Sequence, residues 1–120
     1  MIEALDHVQI AIPEGGETSA RAFYCGTLGM TEMAKPNALA ERGGLWLRGG
    51  QANLHLGVET DFRPARKAHP AFAVASLEAA IAALRNAGLT PEPAEALPGV
   101  RARCFVADPF GNRIELLERG

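Results

Sequence analysis

Cysteine is scarce in this chain: two in 120 residues, Cys25 and Cys104, far apart and without CxxC spacing. That excludes a disulfide framework and a thiolate zinc knuckle, and both are read as free buried thiols. No apolar run approaches the roughly 18 residues that a membrane-spanning helix needs. There is no surplus of basic charge either. The formal net charge is -2, whereas proteins that bind nucleic acid through its phosphates present a basic face. The N-terminus lacks a basic-then-apolar leader pattern, so a cytoplasmic location is expected. Hydrophobic residues make up 48% of the chain, enough for an ordinary core in one compact domain or two fused half-modules.

Histidine is also rare, and its placement is ordered. The three histidines are His7, His55 and His69. His7 and His69 open two similar segments, HVQIAI and HPAFAV, while His55 and Glu115 sit near the ends of NLHLG and RIELLE. Alternating, β-branched stretches predict strands over 6–12, MTEMAK, LWLR, ANLHLG, HPAFAV, ARCFVAD and RIELLE. A helix is expected over 20–28, capped by Thr18 or Ser19 and ended by Gly29. A second runs over LEAAIAALRNAG, capped by Ser76 and ended by Gly88. Residues 36–42 read as a loop or short helix, LTPEPAEALPG as turn-rich, and LWLR with ANLHLG as a hairpin. The order strand, helix, strand, strand, strand occurs twice. Two modules, 1–58 and 68–118, are therefore expected, joined by a linker over 59–67, in a single domain.

Strand parity extends the argument. In each strand one face carries bulky residues (Leu54 and Leu56, Ile114 and Leu116, Phe72 and Val74) and should meet a helix. The opposite faces carry small or polar residues, among them His7, His55, His69 and Glu115. In a curled sheet those faces line a cavity. Two or three imidazoles with a carboxylate suit a borderline divalent ion: Fe, Mn, Co, Ni or Zn. The competing reading is a set of polar residues in a metal-free ligand cleft.

Three motifs, Asp6-His7-Val8, the FYCGTLGM run from Phe23 to Met30, and VADPFGNRIEL from Val106 to Leu116, resemble the vicinal oxygen chelate superfamily. Glyoxalase I, bleomycin-binding proteins, extradiol dioxygenases and fosfomycin-resistance transferases belong to it. The resemblance covers almost the whole chain. It implies an α+β fold of two βαβββ modules forming an open, cup-shaped mixed sheet. It implies metal ligands at His7, His55, His69 and Glu115, with His7, His69 and Glu115 matching the two-histidine, one-glutamate pattern. Glyoxalase I usually has an acid or glutamine where this chain has His55. The resemblance further implies a homodimer acting on a small molecule: a metal-dependent isomerase, lyase or oxygenase taking a small polar or anionic substrate. Glu115 and His55 would then carry the chemistry. The bleomycin-binding branch, which needs no metal, implies instead a binding or resistance protein.

Further residues are candidates for substrate contact. Arg63, Arg66 and Lys67 form a basic stretch able to recruit a carboxylate or phosphate, with Lys35 and Arg103 as additions. Trp46 offers a stacking platform, and Tyr24 a hydroxyl donor. The DPFGN run reads as a structural turn.

Overall fold

The computed structural model describes residues 1–120, which divide into two compact units, Met1–Pro64 and Ala65–Gly120. The division falls within the segment read as a linker. Both units repeat one topology. Unit one contains β1 (Val8–Ile12), helix α1 (Glu17–Ala20) running into a π-helical stretch (Arg21–Thr27), β2 (Thr31–Met33), a short α2 (Asn37–Ala40), β3 (Leu45–Gly49) and β4 (Ala52–Val58). Unit two contains β5 (Ala71–Ala73), α3 (Leu77–Asn86), β6 (Glu92–Ala94), β7 (Val100–Ala107) and β8 (Arg113–Arg119). The sheet orders, β1-β4-β3-β2 and β5-β8-β7-β6, are equivalent. In each, the first strand runs parallel to the last and the other pairings are antiparallel. The two βαβββ modules expected from the repeat are thus present. No helix is long and apolar enough to cross a membrane.

Alternation decides which face is buried. In unit one, Ile10, Ile12, Leu45, Leu47, Leu54 and Leu56 are buried together with Ala20, Phe23 and Tyr24 of the helix. In unit two, Cys104, Val106, Ile114 and Leu116 are buried with Leu77 and Leu84 of α3. Burial raises the Cys104 thiol above the ordinary range, with the Glu115 carboxylate adding to it, so this thiol is packing rather than chemistry.

Several local expectations are corrected. The first strand starts at Val8, leaving Asp6 and His7 just outside it. The first helix begins at Glu17 with Gly16 at its cap and no side-chain cap bond, so neither Thr18 nor Ser19 caps it. Its second half is wound as a π-helix, with Leu28 N–H donating to Phe23 O at 2.9 Å. That wider winding turns two adjacent residues, Phe23 and Tyr24, inward together. The turn-rich segment of unit two contains the three-residue strand β6. Ser76 caps α3 as expected, its Oγ accepting from Ala79 N–H at 3.2 Å.

The entry to β3 is held by a contact that the sequence does not announce. Gly44 N–H donates to Glu17 Oε2 at 3.0 Å. This bond, ahead of weaker contributions from Arg21 and Lys35, holds the Glu17 carboxyl below its ordinary range. The stabilisation is therefore present above the unfolded-state pKa near 4.5 and lost as pH falls through the lower folded value. Glu17→Gln should lower stability by about 1 kcal/mol at pH 7. In urea melts run from pH 7 to pH 3, the gap to the parent protein should close on the acid side. A gap that stays constant with pH would mean that the Glu17 charge contributes nothing.

Candidate functional site

In unit one the histidines stand at the parallel β1–β4 seam. Register pairs Gln9 with His55 and His55 with Trp46 on β3, all on the face opposite the leucines. Three rings form a stack there. His55 lies against Trp46 with centroids 4.1 Å apart and planes at 4°, and against His7 at 4.1 Å and 19°. Burial, and then repulsion from His7, hold the His55 pKa below the ordinary histidine range, with Asp6 opposing. His7 Nδ1 pairs with Asp6 Oδ2 at 2.9 Å, and Asp6 is itself tied down by Asn53 Nδ2 donating to its backbone carbonyl at 3.3 Å. The stack borders a cleft of about 810 Å³ also lined by Met33, Lys35, Arg42 and Arg48. Within that lining Lys35 is engaged, donating to the Gly43 carbonyl.

In unit two the key pair is His69 and Glu115. His69 Nδ1 lies 2.8 Å from the Lys67 carbonyl. A carbonyl only accepts, so Nδ1 carries the proton and Nε2 presents its lone pair in the neutral ring. That lone pair faces Glu115 Oε1 at 3.0 Å. Glu115 is 7% exposed, and its other oxygen has only a distant partner, Arg103 Nη1 at 3.7 Å. Two acceptors in contact require a cation between them, either a proton or a metal ion. Phe105 completes this face. It stands edge-on to His69 with centroids 5.3 Å apart, and the Arg113 guanidinium lies over its ring at 3.9 Å.

The fit to a divalent ion differs between the two pairs. Ligands each roughly 2.1 Å from one ion are about 3.0 Å from each other in an octahedral site and about 3.4 Å in a tetrahedral one; the His69–Glu115 contact, 3.0 Å, has the octahedral spacing, which is equally that of a hydrogen bond shared through a proton. The stacked pair does not fit. Two imidazoles sharing an ion aim in-plane lone pairs at one point, and nearly parallel rings 4.1 Å apart do not converge there. His7 and His55 cannot both ligate one ion as they stand. Accordingly, no group of three or more His, Cys, Asp or Glu side chains is gathered to hold a metal; the four expected ligands are present as two pairs, one in each unit.

The sequence profile of the Glyoxalase/Bleomycin resistance protein/Dioxygenase superfamily matches residues 4–116. The chain belongs to this superfamily. Among solved structures it is similar to a glyoxalase-family protein from Bacillus anthracis, at 46% identity and TM-score 0.94, covering 100% of this chain and 98% of the other. It is also similar to a glyoxalase family protein from Enterococcus faecalis, at 27% identity and TM-score 0.73, covering 97% and 98%. TnmS3, an antibiotic binding protein from Streptomyces sp. CB03234, shares the fold at 22% identity and TM-score 0.73, covering 99% and 100%. No functionally curated protein matches.

The remaining candidates separate cleanly. Trp46 borders the unit-one cleft. Tyr24 does not; it is fully buried and packs edge-on against Phe23, because the π-winding turns it into the core. Arg63, Arg66 and Lys67 are all exposed, and Arg66 also borders a cavity in unit two. The DPFGN turn is built around buried Asp108, whose Oδ1 accepts from Phe110 and Asn112 N–H and whose Oδ2 accepts from Asn112 Nδ2. The sequence reading missed Arg113. Its parity with Glu115, two residues on in the same strand, was the available signal.

Proposed function

We propose that this superfamily member is a metal-dependent enzyme acting on a small polar or anionic substrate, in which His69 and Glu115 hold a divalent ion. The observation that carries this reading is the His69–Glu115 contact: a tautomer fixed by the Lys67 carbonyl directs a lone pair at a buried carboxylate. His7 is the imidazole in unit one best prepared to ligate, since Asp6 orients it through Nδ1 and Nε2 is left for another partner. When bound, such an ion supplies Lewis-acid polarisation of substrate oxygens. The chain's own part is to seat the substrate and manage protons. Burial and the neighbouring His7 lower the His55 pKa, which favours the neutral imidazole, the form that can accept a proton. As in the homodimers of the superfamily, we take the working form to be a dimer.

A second reading is favoured by the Trp46–His55–His7 stack beside a roomy cleft: a metal-free protein that sequesters a planar small molecule. One experiment separates the two. The protein is purified without chelators, analysed for metals, and then titrated with Fe, Mn, Co, Ni and Zn while Trp46 fluorescence is followed. The enzyme reading expects about one ion per chain, lost in His69→Ala and kept in His55→Ala. No bound metal and no tight uptake, together with saturable quenching of Trp46 by a planar aromatic compound, would move the assignment to the binding protein.

A further inference from the structure

Unit two contains a second cavity, of about 400 Å³, lined by Arg66, Thr90, Glu92, Phe105, Gly111 and Arg113 among others. Two of its features are built rather than incidental. The first is Arg113. Register places it beside Ala107 on β7, one pleat from the Phe105–Glu115 pair, and its guanidinium lies over the Phe105 ring, 3.9 Å from the centroid. A guanidinium stacked at that distance keeps its N–H donors in its own plane, free to meet an acceptor at the ring edge. Arg103, on the same face, is already engaged: its Nε donates to the Glu95 carbonyl at 2.7 Å, and its Nη1 stands 3.7 Å from Glu115. Arg113 is in no ion pair, and neither is Arg66.

The second feature is the strap that carries Arg66. Ala65 N–H donates to the buried Asn112 Oδ1 at 2.9 Å, and Arg113 N–H donates to Ala65 O at 2.9 Å. Asn112 is in turn locked by Asp108. The backbone next to Arg66 is therefore fixed to the backbone of Arg113. Two unpaired guanidiniums share one small concavity with a single acid, Glu92. The Arg113 guanidinium, held on Phe105, loses little freedom on binding, and the fixed backbone beside it keeps the exposed Arg66 side chain at the same rim.

We propose that Arg113, held on Phe105, and Arg66 form an oxyanion-binding cavity that takes the carboxylate or phosphate of a small ligand. Phe105 also borders His69, so the cavity adjoins the pair assigned above to the ion; its use as the anchor of an anionic substrate rests on that reading, whereas its capacity to bind an oxyanion does not. Planar N–H forks match both oxyanions, which is why the two are left as arms of the test.

The test is an NMR titration of the ¹⁵N-labelled full chain, following the Arg113 Nε–H and Gly111 N–H signals. Inorganic phosphate and acetate are added separately at constant ionic strength, with chloride as the control. A saturable shift at both signals with phosphate or acetate is expected, and whichever ion saturates at lower concentration identifies the preferred group. Arg113→Ala should weaken that binding about tenfold, and Arg113→Lys should recover only part of it, since a lysine keeps the charge but not the fork. Glu92→Gln should tighten it by removing a like charge. Linear shifts no larger than those from chloride, or an unchanged titration in folded Arg113→Lys and Arg113→Ala, would overturn the proposal. Glu115→Gln separates the two readings: loss of metal with oxyanion binding intact supports this cavity, while loss of oxyanion binding with Arg113 unchanged shows that the anion was held elsewhere.

Discussion

Gly44→Ala is expected to remove about 3–6 kcal/mol of stability, a large share of the roughly 5–15 kcal/mol that a domain possesses. Two independent causes add at this position. Gly44 has φ +80°, a region that side-chain-bearing residues rarely occupy. A Cβ built there would also lie 2.0 Å from the backbone carbonyl oxygen of Leu56. That oxygen cannot retreat cheaply, because Leu56 sits in β4 between β1 and β3, paired with Ile10 on one side and Leu45 on the other. The same residue receives the Glu17 carboxylate, so displacing it also breaks the tie between α1 and the start of β3. Gly50→Ala is the matched control. Gly50 has φ +55° with nothing within 4 Å of its would-be Cβ, so it isolates the conformational cost, about 1 kcal/mol. Urea melts of both variants decide the matter. Equal losses would show that the approach to Leu56 is relieved by a small backbone shift. A Gly44→Ala protein recovered only as insoluble material, beside a soluble Gly50→Ala, would agree with the larger estimate.

What was legible in the sequence was what repeats. Period-two alternation in HVQIAI, NLHLG and RIELL gave the strands and the correct buried face, because burial of one side of a sheet writes itself into every second residue. Ser76 announced its helix because a cap is a local interaction between neighbours in sequence. The doubled order of elements gave the two modules. Strand parity put all four side chains on cavity-facing sides, and the parallel seam in each module, with Gln9 opposite His55 and Ala71 opposite Glu115, is what brings His7 beside His55 and His69 beside Glu115. The rest depends on distances across the fold. The π-winding that buries Tyr24 is a property of packing, and FYCGTLG shows no pattern that separates it from an α-helix. The stacking of His7 on His55 is likewise invisible. Strand parity says that both rings lie on one face, and only their planes say that they cannot serve one ion. Arg113 was passed over as the first residue of the closing strand, next to a run read as a turn, although Phe105 across the β7–β8 ladder is what gives it an ordered place.

Glu115→Gln should lower metal affinity roughly 100-fold, the share of one ligand in a site of a few, while leaving the fold as stable as before to within about 1 kcal/mol. These two effects normally oppose each other at a buried carboxylate, and here the local chemistry separates them. As it stands, a His69 lone pair faces a carboxylate oxygen at 3.0 Å with no donor between them in the neutral ring. The amide of glutamine supplies that donor. Its NH₂ can give a hydrogen bond to His69 Nε2 while the Nδ1 proton stays on the Lys67 carbonyl, so the pair becomes satisfied without a cation. Replacing the carboxylate also removes a charge from a residue only 7% exposed, and the one ion-pair partner forgone, Arg103 at 3.7 Å, keeps its bond to the Glu95 carbonyl. Metal content by mass spectrometry and a thermal melt on the same sample check both halves. Metal lost with the melt unchanged identifies Glu115 as a ligand whose mismatch with His69 exists for the ion. A melt lowered by several degrees, with metal content as in the parent protein, would instead make the pair a structural imidazolium–carboxylate bridge, and would turn the weight of the site toward the stacked rings of the first unit.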